Sequence, residues 1–168
     1  ELILGKGSRQ APEYLKTKIA ATFDDYRRTL NESLQEGSFD WGIFTAAVAD
    51  YQPESVFEGK ISSKKDHLTL KLVPTVKLID EVRQNFPELK MVTFKYEENI
   101  SHEELMSIAQ SRLSKKEGSQ LVVANRVEEF EADGTQVAWL LEPKQEPQKH
   151  IGKVGIAKAI LDCIELTE

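Results

Sequence analysis

Trp41-Gly42-Ile43-Phe44-Thr45-Ala46-Ala47-Val48 is an almost unbroken apolar run, and the chain turns polar at Asp50, two residues beyond it. A strand with one wet face alternates apolar and polar residues. A continuous run predicts instead a strand covered on both faces, as in a parallel sheet with helices on either side. Upstream of it, Phe23, Tyr26, Leu30 and Leu34 are spaced three, four and four apart, which predicts a helix over 23–34 with Gly37 as its stop. Leu2-Ile3-Leu4 reads as the end of a buried strand, and residues 5–22 read as polar and irregular, with Pro12 as a breaker. Downstream, residues 51–66 hold Pro53, Gly59 and several lysines without any period; a long loop of this kind in a compact domain is more often functional than idle. His67–Val73 alternates and predicts a half-exposed strand ended by Pro74. Val76, Ile79, Val82 and Phe86 then trace a helix, and Lys90–Phe94 a strand.

Ser101-His102-Glu103-Glu104 has the pattern of a capping box, and the helix it opens carries Leu105, Ile108, Ala109 and Leu113. Gln120–Ala124 predicts a strand. Val137–Leu141 predicts another, paired across the Asp133-Gly134 turn with residues 129–131. Ile156, Ala159, Ile160 and Cys163-Ile164 mark a last helix. The alternation predicts an α/β, Rossmann-like layered fold: a mainly parallel central sheet, helices on both faces and an antiparallel strand extension.

Composition narrows the function classes. Lys+Arg 22 against Asp+Glu 28 gives a net charge of −6 over 168 residues, which argues against a nucleic-acid polymer as ligand. No apolar run approaches the roughly 20 residues that cross a bilayer, and no signal peptide is visible. A single cysteine, Cys163, makes no internal disulfide; a cytoplasmic protein is the expectation.

In open parallel sheets, ligands sit outside the carboxyl ends of the strands. Asp50, Lys95 and Glu97, and Asn125-Arg126 follow apolar runs and are the first candidates. A carboxylate just past a strand end can accept from a base amino group or a sugar hydroxyl; it can equally be a cap or a surface charge. Lys60, Lys64 and Lys65, with Ser62-Ser63 between them, suit a phosphate covered by a loop, or equally a solvated charged loop. Neither G-x-x-x-x-G-K-[ST] nor G-x-G-x-x-G occurs. His67, His102 and His150 are scattered without metal-ligand spacing, and Cys163 reads as a core residue.

Ala46-Ala47-Val48-Ala49-Asp50-Tyr51-Gln52-Pro53 resembles the A-A-V-[AS]-D-[YF]-x-P signature of the phosphopantothenoylcysteine synthetase (phosphopantothenate–cysteine ligase) family. Further segments follow in the same order: Lys60-Ile61-Ser62-Ser63 where the family has its flap lysine, Leu70-Lys71-Leu72-Val73-Pro74, Thr93-Phe94-Lys95-Tyr96-Glu97 and Leu121-Val122-Val123-Ala124-Asn125. Leu2-Ile3-Leu4-Gly5 resembles the strand upstream of the signature.

The resemblance implies a ligase of coenzyme A biosynthesis. It would join 4′-phosphopantothenate to cysteine through an acyl-nucleotidylate formed from CTP or ATP with Mg²⁺, in a homodimer. Asp50 would read the base amino group, with Ala46 and Ala47 lining the base pocket. Lys60 would close over the triphosphate as the catalytic cation, and Phe94 would lie beside the base. Arg112 and Lys116, four apart on one helical face, would meet phosphates, and Thr75, Val76, Lys77 and Leu78 would approach the ribose and phosphates at a helix start. Asn125 matches the family pattern in a substrate or structural role.

The chain departs from the family at three places: Ile61-Ser62-Ser63 follows the flap lysine where K-x-K-K is usual in bacterial members, Arg112 stands for a lysine, and Gln120 for an aspartate. The family's first βα unit has no counterpart in these residues, so 1–168 reads as one N-terminally truncated domain of this type. Two other readings stand beside the ligase: a non-catalytic nucleotide-binding or interaction module, and an inactive fragment.

Overall fold

The structure, a computed structural model, describes residues 1–62, 66–114 and 118–166. In chain order the first elements are β1 (Leu2–Gly5), β2 (Thr17–Ala20), α1 (Phe23–Glu36), β3 (Trp41–Phe44), β4 (Tyr51–Pro53), β5 (Leu72–Pro74) and α2 (Leu78–Asn85). They are followed by β6 (Lys90–Glu97), α3 (His102–Ser114), β7 (Leu121–Arg126), a single 3-10 turn (Val127–Glu129), β8 (Val137–Leu141), β9 (Gln148–Ile151) and α4 (Gly152–Glu165). These group into two compact units, Glu1–Glu36 with Ala46–Val82, and Gly37–Thr45 with Arg83–Glu168.

The second unit holds a five-stranded sheet in the order β3-β6-β7-β8-β9. β3, β6 and β7 run parallel; β8 and β9 are antiparallel additions at one end. Alternation along the strands divides the core between two helices. Val92, Leu121, Val123, Ala138 and Leu140 face Ile156, Ala159 and Ile160 of α4. Val122, Ala124 and Leu141 face Leu105 and Ala109 of α3. The mainly parallel sheet with helices on both faces and an antiparallel extension is therefore as expected.

The capping box is formed in full: Glu104 N–H donates to Ser101 Oγ (3.1 Å) and Ser101 N–H to the Glu104 carboxylate (2.8 Å). At the amino ends of β6 and β7, Gln120 makes a two-point clasp. Its N–H donates to Met91 C=O (3.0 Å), while its Oε1 accepts from Met91 N–H (2.7 Å) and from the buried guanidinium of Arg83 (3.3 Å).

In the first unit, β1 and β2 form a parallel pair, and β4 and β5 an antiparallel one. Lys18 of β2 donates to Ser33 of α1 (3.0 Å). Arg27 and Asn31 of α1 both donate to Glu81 at the start of α2, Arg27 Nε at 2.8 and 3.1 Å and Asn31 Nδ2 at 3.0 Å.

Several expectations are corrected. The apolar run from Trp41 leaves the sheet after Phe44, and β3 is an end strand of its sheet with Ile43 about half exposed, not a strand covered on both faces. The register with β6 ends at the Phe44–Thr93 pair, so Ala46, Ala47 and Val48 continue the apolar composition without the ladder. Residues 5–22 contain β2, and 51–66 begin with β4. Of the strand expected over 67–73, only Leu72 and Val73 are extended into β5, which runs on to Pro74, because only there does β4 supply a partner. Residues 129–131 do not pair with β8, which lies between β7 and β9. Asp133-Gly134 does turn, with Gly134 at φ 81° and the Asp133 carboxylate accepting from Thr135 N–H at 2.8 Å.

Candidate functional site

The expected site residues are distributed over both units. In the first unit, Asp50 stands at the foot of the β4–β5 hairpin. Thr75 N–H donates to Asp50 C=O (2.9 Å) and Thr75 Oγ1 to Ala49 C=O (2.7 Å). The hairpin register, Tyr51 opposite Pro74, brings these two backbone segments side by side. Lys77, 27 residues along the chain, forms an ion pair with the Asp50 carboxylate. Thus Asp50, Thr75 and Lys77 come together as one cluster. Val76 is half exposed, whereas Leu78 is buried as the first residue of α2. Ala46 and Ala47 are exposed and outside any regular element.

Lys60 is exposed on the segment between β4 and β5, directly after Gly59, whose φ of 98° is a conformation that few residues other than glycine adopt. Lys71, at the far end of that segment, pairs with Glu54. Lys64, Lys65 and Ser63 lie outside the described residues.

In the second unit, a cavity of about 400 Å³ opens at the carboxyl ends of β3, β6 and β7. Phe94 and Asn125 both line it, so the structure brings these two expected residues together. Its walls are mostly apolar, with Ile43, Val123, Ala138 and the α4 residues Ile156 and Ile160, while Thr45, Gln136 and Lys153 add polar groups. The sequence reading missed Gln136 and Lys153. They come from a strand approach and a helix start that only the antiparallel extension carries to this place.

Arg112 is elsewhere. Its C=O accepts from Ser119 N–H (3.2 Å), just before β7 begins, so it sits at the amino ends of the parallel strands, opposite the cavity. Lys116 lies outside the described residues. Of the other polar residues at strand ends, Lys95 and Glu97 pair with each other on β6.

Arg126 belongs to a network the sequence did not disclose. Glu129 accepts from Arg126 Nε (2.9 Å) and Trp139 Nε1 (2.7 Å), and its Oε1 lies 2.7 Å from His102 Nδ1. The His102 and Trp139 rings meet edge to face at 4.8 Å. Arg126 also donates to Ile100 C=O, and Glu128 accepts from Asn99 N–H, so the loops leaving β6 and β7 are fastened together. Burial pushes the Glu129 carboxyl up, but hydrogen bonds from Arg126, Trp139 and His102 outweigh it and hold it below its ordinary value. The half-buried thiol of Cys163 is pushed up to about 11 by burial and by the Glu142 carboxylate 3.4 Å away.

Comparison with known proteins gives this geometry a context. Residues 1–167 match the family described as DNA/pantothenate metabolism flavoprotein, C-terminal domain. The chain belongs to that family. It is 29% identical over 166 residues to the coenzyme A biosynthesis bifunctional protein CoaBC of Thermococcus kodakarensis, covering 98% of this chain and 41% of that protein. It is 29% identical over 158 residues to the CoaBC of Methanocaldococcus jannaschii, covering 93% and 38%. The chain therefore spans about two fifths of the length of these curated relatives.

The solved structure of the DNA/pantothenate metabolism flavoprotein from Streptococcus pneumoniae superposes with a TM-score of 0.83 at 24% identity, over 99% of this chain and 80% of that one. That likeness bears out the Rossmann-like α/β fold. Among the described residues no helix is long and apolar enough to cross a membrane.

Proposed function

We propose that the protein carries the phosphopantothenate–cysteine ligase step of coenzyme A biosynthesis. The observation that carries the reading is the family match over 1–167, which includes the Ala46–Asp50 signature. Both archaeal relatives are coenzyme A biosynthesis proteins. The reaction activates the carboxylate of 4′-phosphopantothenate with CTP or ATP, releases pyrophosphate, and lets the cysteine amine displace the nucleotide to form an amide.

Each demand has a candidate on the chain. Asp50 accepts from the amino group of the base, beside the exposed backbone of Ala46 and Ala47. Thr75 fixes the backbone of Asp50, and the start of α2 at Leu78 offers N–H groups to an anion. Lys60, exposed directly after Gly59, brings a cation to the charge that develops on the transferring phosphate. Phe94 and Asn125, around their own cavity, offer an apolar surface and an amide to the substrate.

Among the described residues no three His, Cys, Asp or Glu side chains group as a metal site. The Mg²⁺ of the proposed reaction would be held mainly through nucleotide phosphates and water, with one or two carboxylates. Bound there, the ion supplies charge neutralisation to the phosphates. A cytoplasmic homodimer completes the reading.

The test is release of pyrophosphate from CTP or ATP, dependent on 4′-phosphopantothenate, by the protein as its gene encodes it. Release with one nucleotide, followed by a cysteine-dependent amide product, is expected. Nucleotide binding without any release would favour a non-catalytic binding module instead.

A further inference from the structure

Lys77 stands in the expected set as part of a helix start approaching phosphates, yet its ammonium is turned to a carboxylate. We infer that Lys77 is the positioning residue for Asp50, restraining its carboxylate and aiming it at the amino group of a cytosine or adenine base. The inference rests on the proposed nucleotide role of Asp50.

Both ends of the pair are fixed by backbone. Asp50 C=O accepts from Thr75 N–H, and Ala49 C=O from Thr75 Oγ1. Lys77 C=O accepts from Glu81 N–H at 3.1 Å, which ties Lys77 to the first turn of α2. The Glu81 side chain is in turn held by Arg27 and Asn31. A chain of hydrogen bonds thus runs from α1 through α2 to the ammonium group that meets Asp50.

Both side chains are about two-thirds exposed, so the pair adds little to folding stability. Its effect lies in the orientation of the carboxylate. A carboxylate has about four acceptor directions. Engagement of one oxygen by Lys77 restricts rotation of the group and sets the direction from which an exocyclic amine can donate to it.

The test compares the parent with Lys77→Met and Lys77→Arg. Lys77→Met is expected to raise KM for the amino-base nucleotide about tenfold, the weight of one weakened charge-assisted hydrogen bond. Its kcat should be little changed, and Lys77→Arg should restore most of the loss. In the nucleotide-free protein, a carbodiimide should join Lys77 to Asp50 in a zero-length cross-link, mapped by mass spectrometry.

An unchanged KM in Lys77→Met of an active parent overturns the inference and leaves the ligase reading intact. Absence of the cross-link overturns the pairing itself. If the parent turns over neither nucleotide, the ligase reading fails. The dissociation constants of CTP and ATP for parent and Lys77→Met, by calorimetry, then decide for or against Lys77.

Discussion

Removing the Glu129 carboxylate probes the network that fastens the loops after β6 and β7. It accepts from Arg126 and Trp139 and pairs with His102, and its side chain is only 14% exposed. Hydrogen bonds to a charged group contribute about 1.5–3 kcal/mol each, so three set a high ceiling. The Arg126 and His102 side chains keep 17% and 33% exposure, and water recovers part of the loss.

For Glu129→Ala the expected destabilisation is about 3 kcal/mol, the lower end for breaking a buried charge pair. Glu129→Gln keeps one acceptor oxygen but turns an amide N–H toward a donor, and should cost about 1.5 kcal/mol. Urea unfolding at pH 7, followed by tryptophan fluorescence with Trp139 inside the network, is the assay. At a urea slope of about 2 kcal/mol/M, the alanine variant should lose about 1.5 M in midpoint.

The pH dependence has a definite sign. Because the folded carboxyl is held below its ordinary value, its contribution is complete above the unfolded carboxyl pKa of about 4.3 and is lost as pH falls through the folded value. The gap between wild type and Glu129→Ala should therefore narrow as pH is lowered from 5. A gap under about 0.5 kcal/mol at pH 7, within the ordinary range of surface substitutions, or a gap that widens on acidification, would refute the reasoning.

Three further outcomes are expected. Lys60→Ala should lower turnover by about two to three orders of magnitude, as loss of one transition-state donor does, with an unchanged circular dichroism spectrum; retained activity would remove Lys60 from the reaction. Ser101→Ala should cost about 1 kcal/mol through the lost cap on α3, read as a shift in the urea midpoint. At pH 8, with its thiol held near 11, Cys163 should react with a disulfide reagent about a hundredfold more slowly than free cysteine. Glu142→Gln should speed that reaction, and a rate equal to free cysteine would contradict the assignment.

The helices and the longer strands were legible because their periods run over many residues. Phe23 to Leu34, and Leu105 to Leu113, each present one face at helical spacing, and the Ser101–Glu104 capping box marks an end to the residue. The elements that escaped are short and partnered from afar. Thr17-Lys18-Ile19-Ala20 is a strand by virtue of its parallel pairing with Leu2–Gly5. Gln148-Lys149-His150-Ile151 is a polar end strand with no buried face to write a pattern. Ala46 to Val48 erred the other way, since small apolar residues have the composition of a strand but find no ladder.

At the candidate site, Asp50 was visible as the first charge after an apolar run. Lys77 was expected at a helix start, but its pairing with Asp50 was not, because a hairpin rather than a sequence interval brings the two together. Phe94 and Asn125 were chosen one by one, and adjacent parallel strands place them on one cavity. Arg112 lies on the expected helix, and because α3 runs antiparallel to the strands it stands at their amino ends.

The clasp at Gln120 bears on how faithfully the central sheet assembles. β6 and β7 are parallel and join only after the whole of α3 has been threaded between them, so no tight turn sets their alignment. A slip by one residue would turn Leu121 and Val123 toward α3, and Val122 and Ala124 toward α4, inverting both halves of the core at once. Gln120 holds Met91 by backbone and side chain together, immediately before the first ladder pair, Val92 with Leu121. Arg83 grips the same amide oxygen from outside the sheet. One side chain thus makes the misaligned sheet costly at its very first rung.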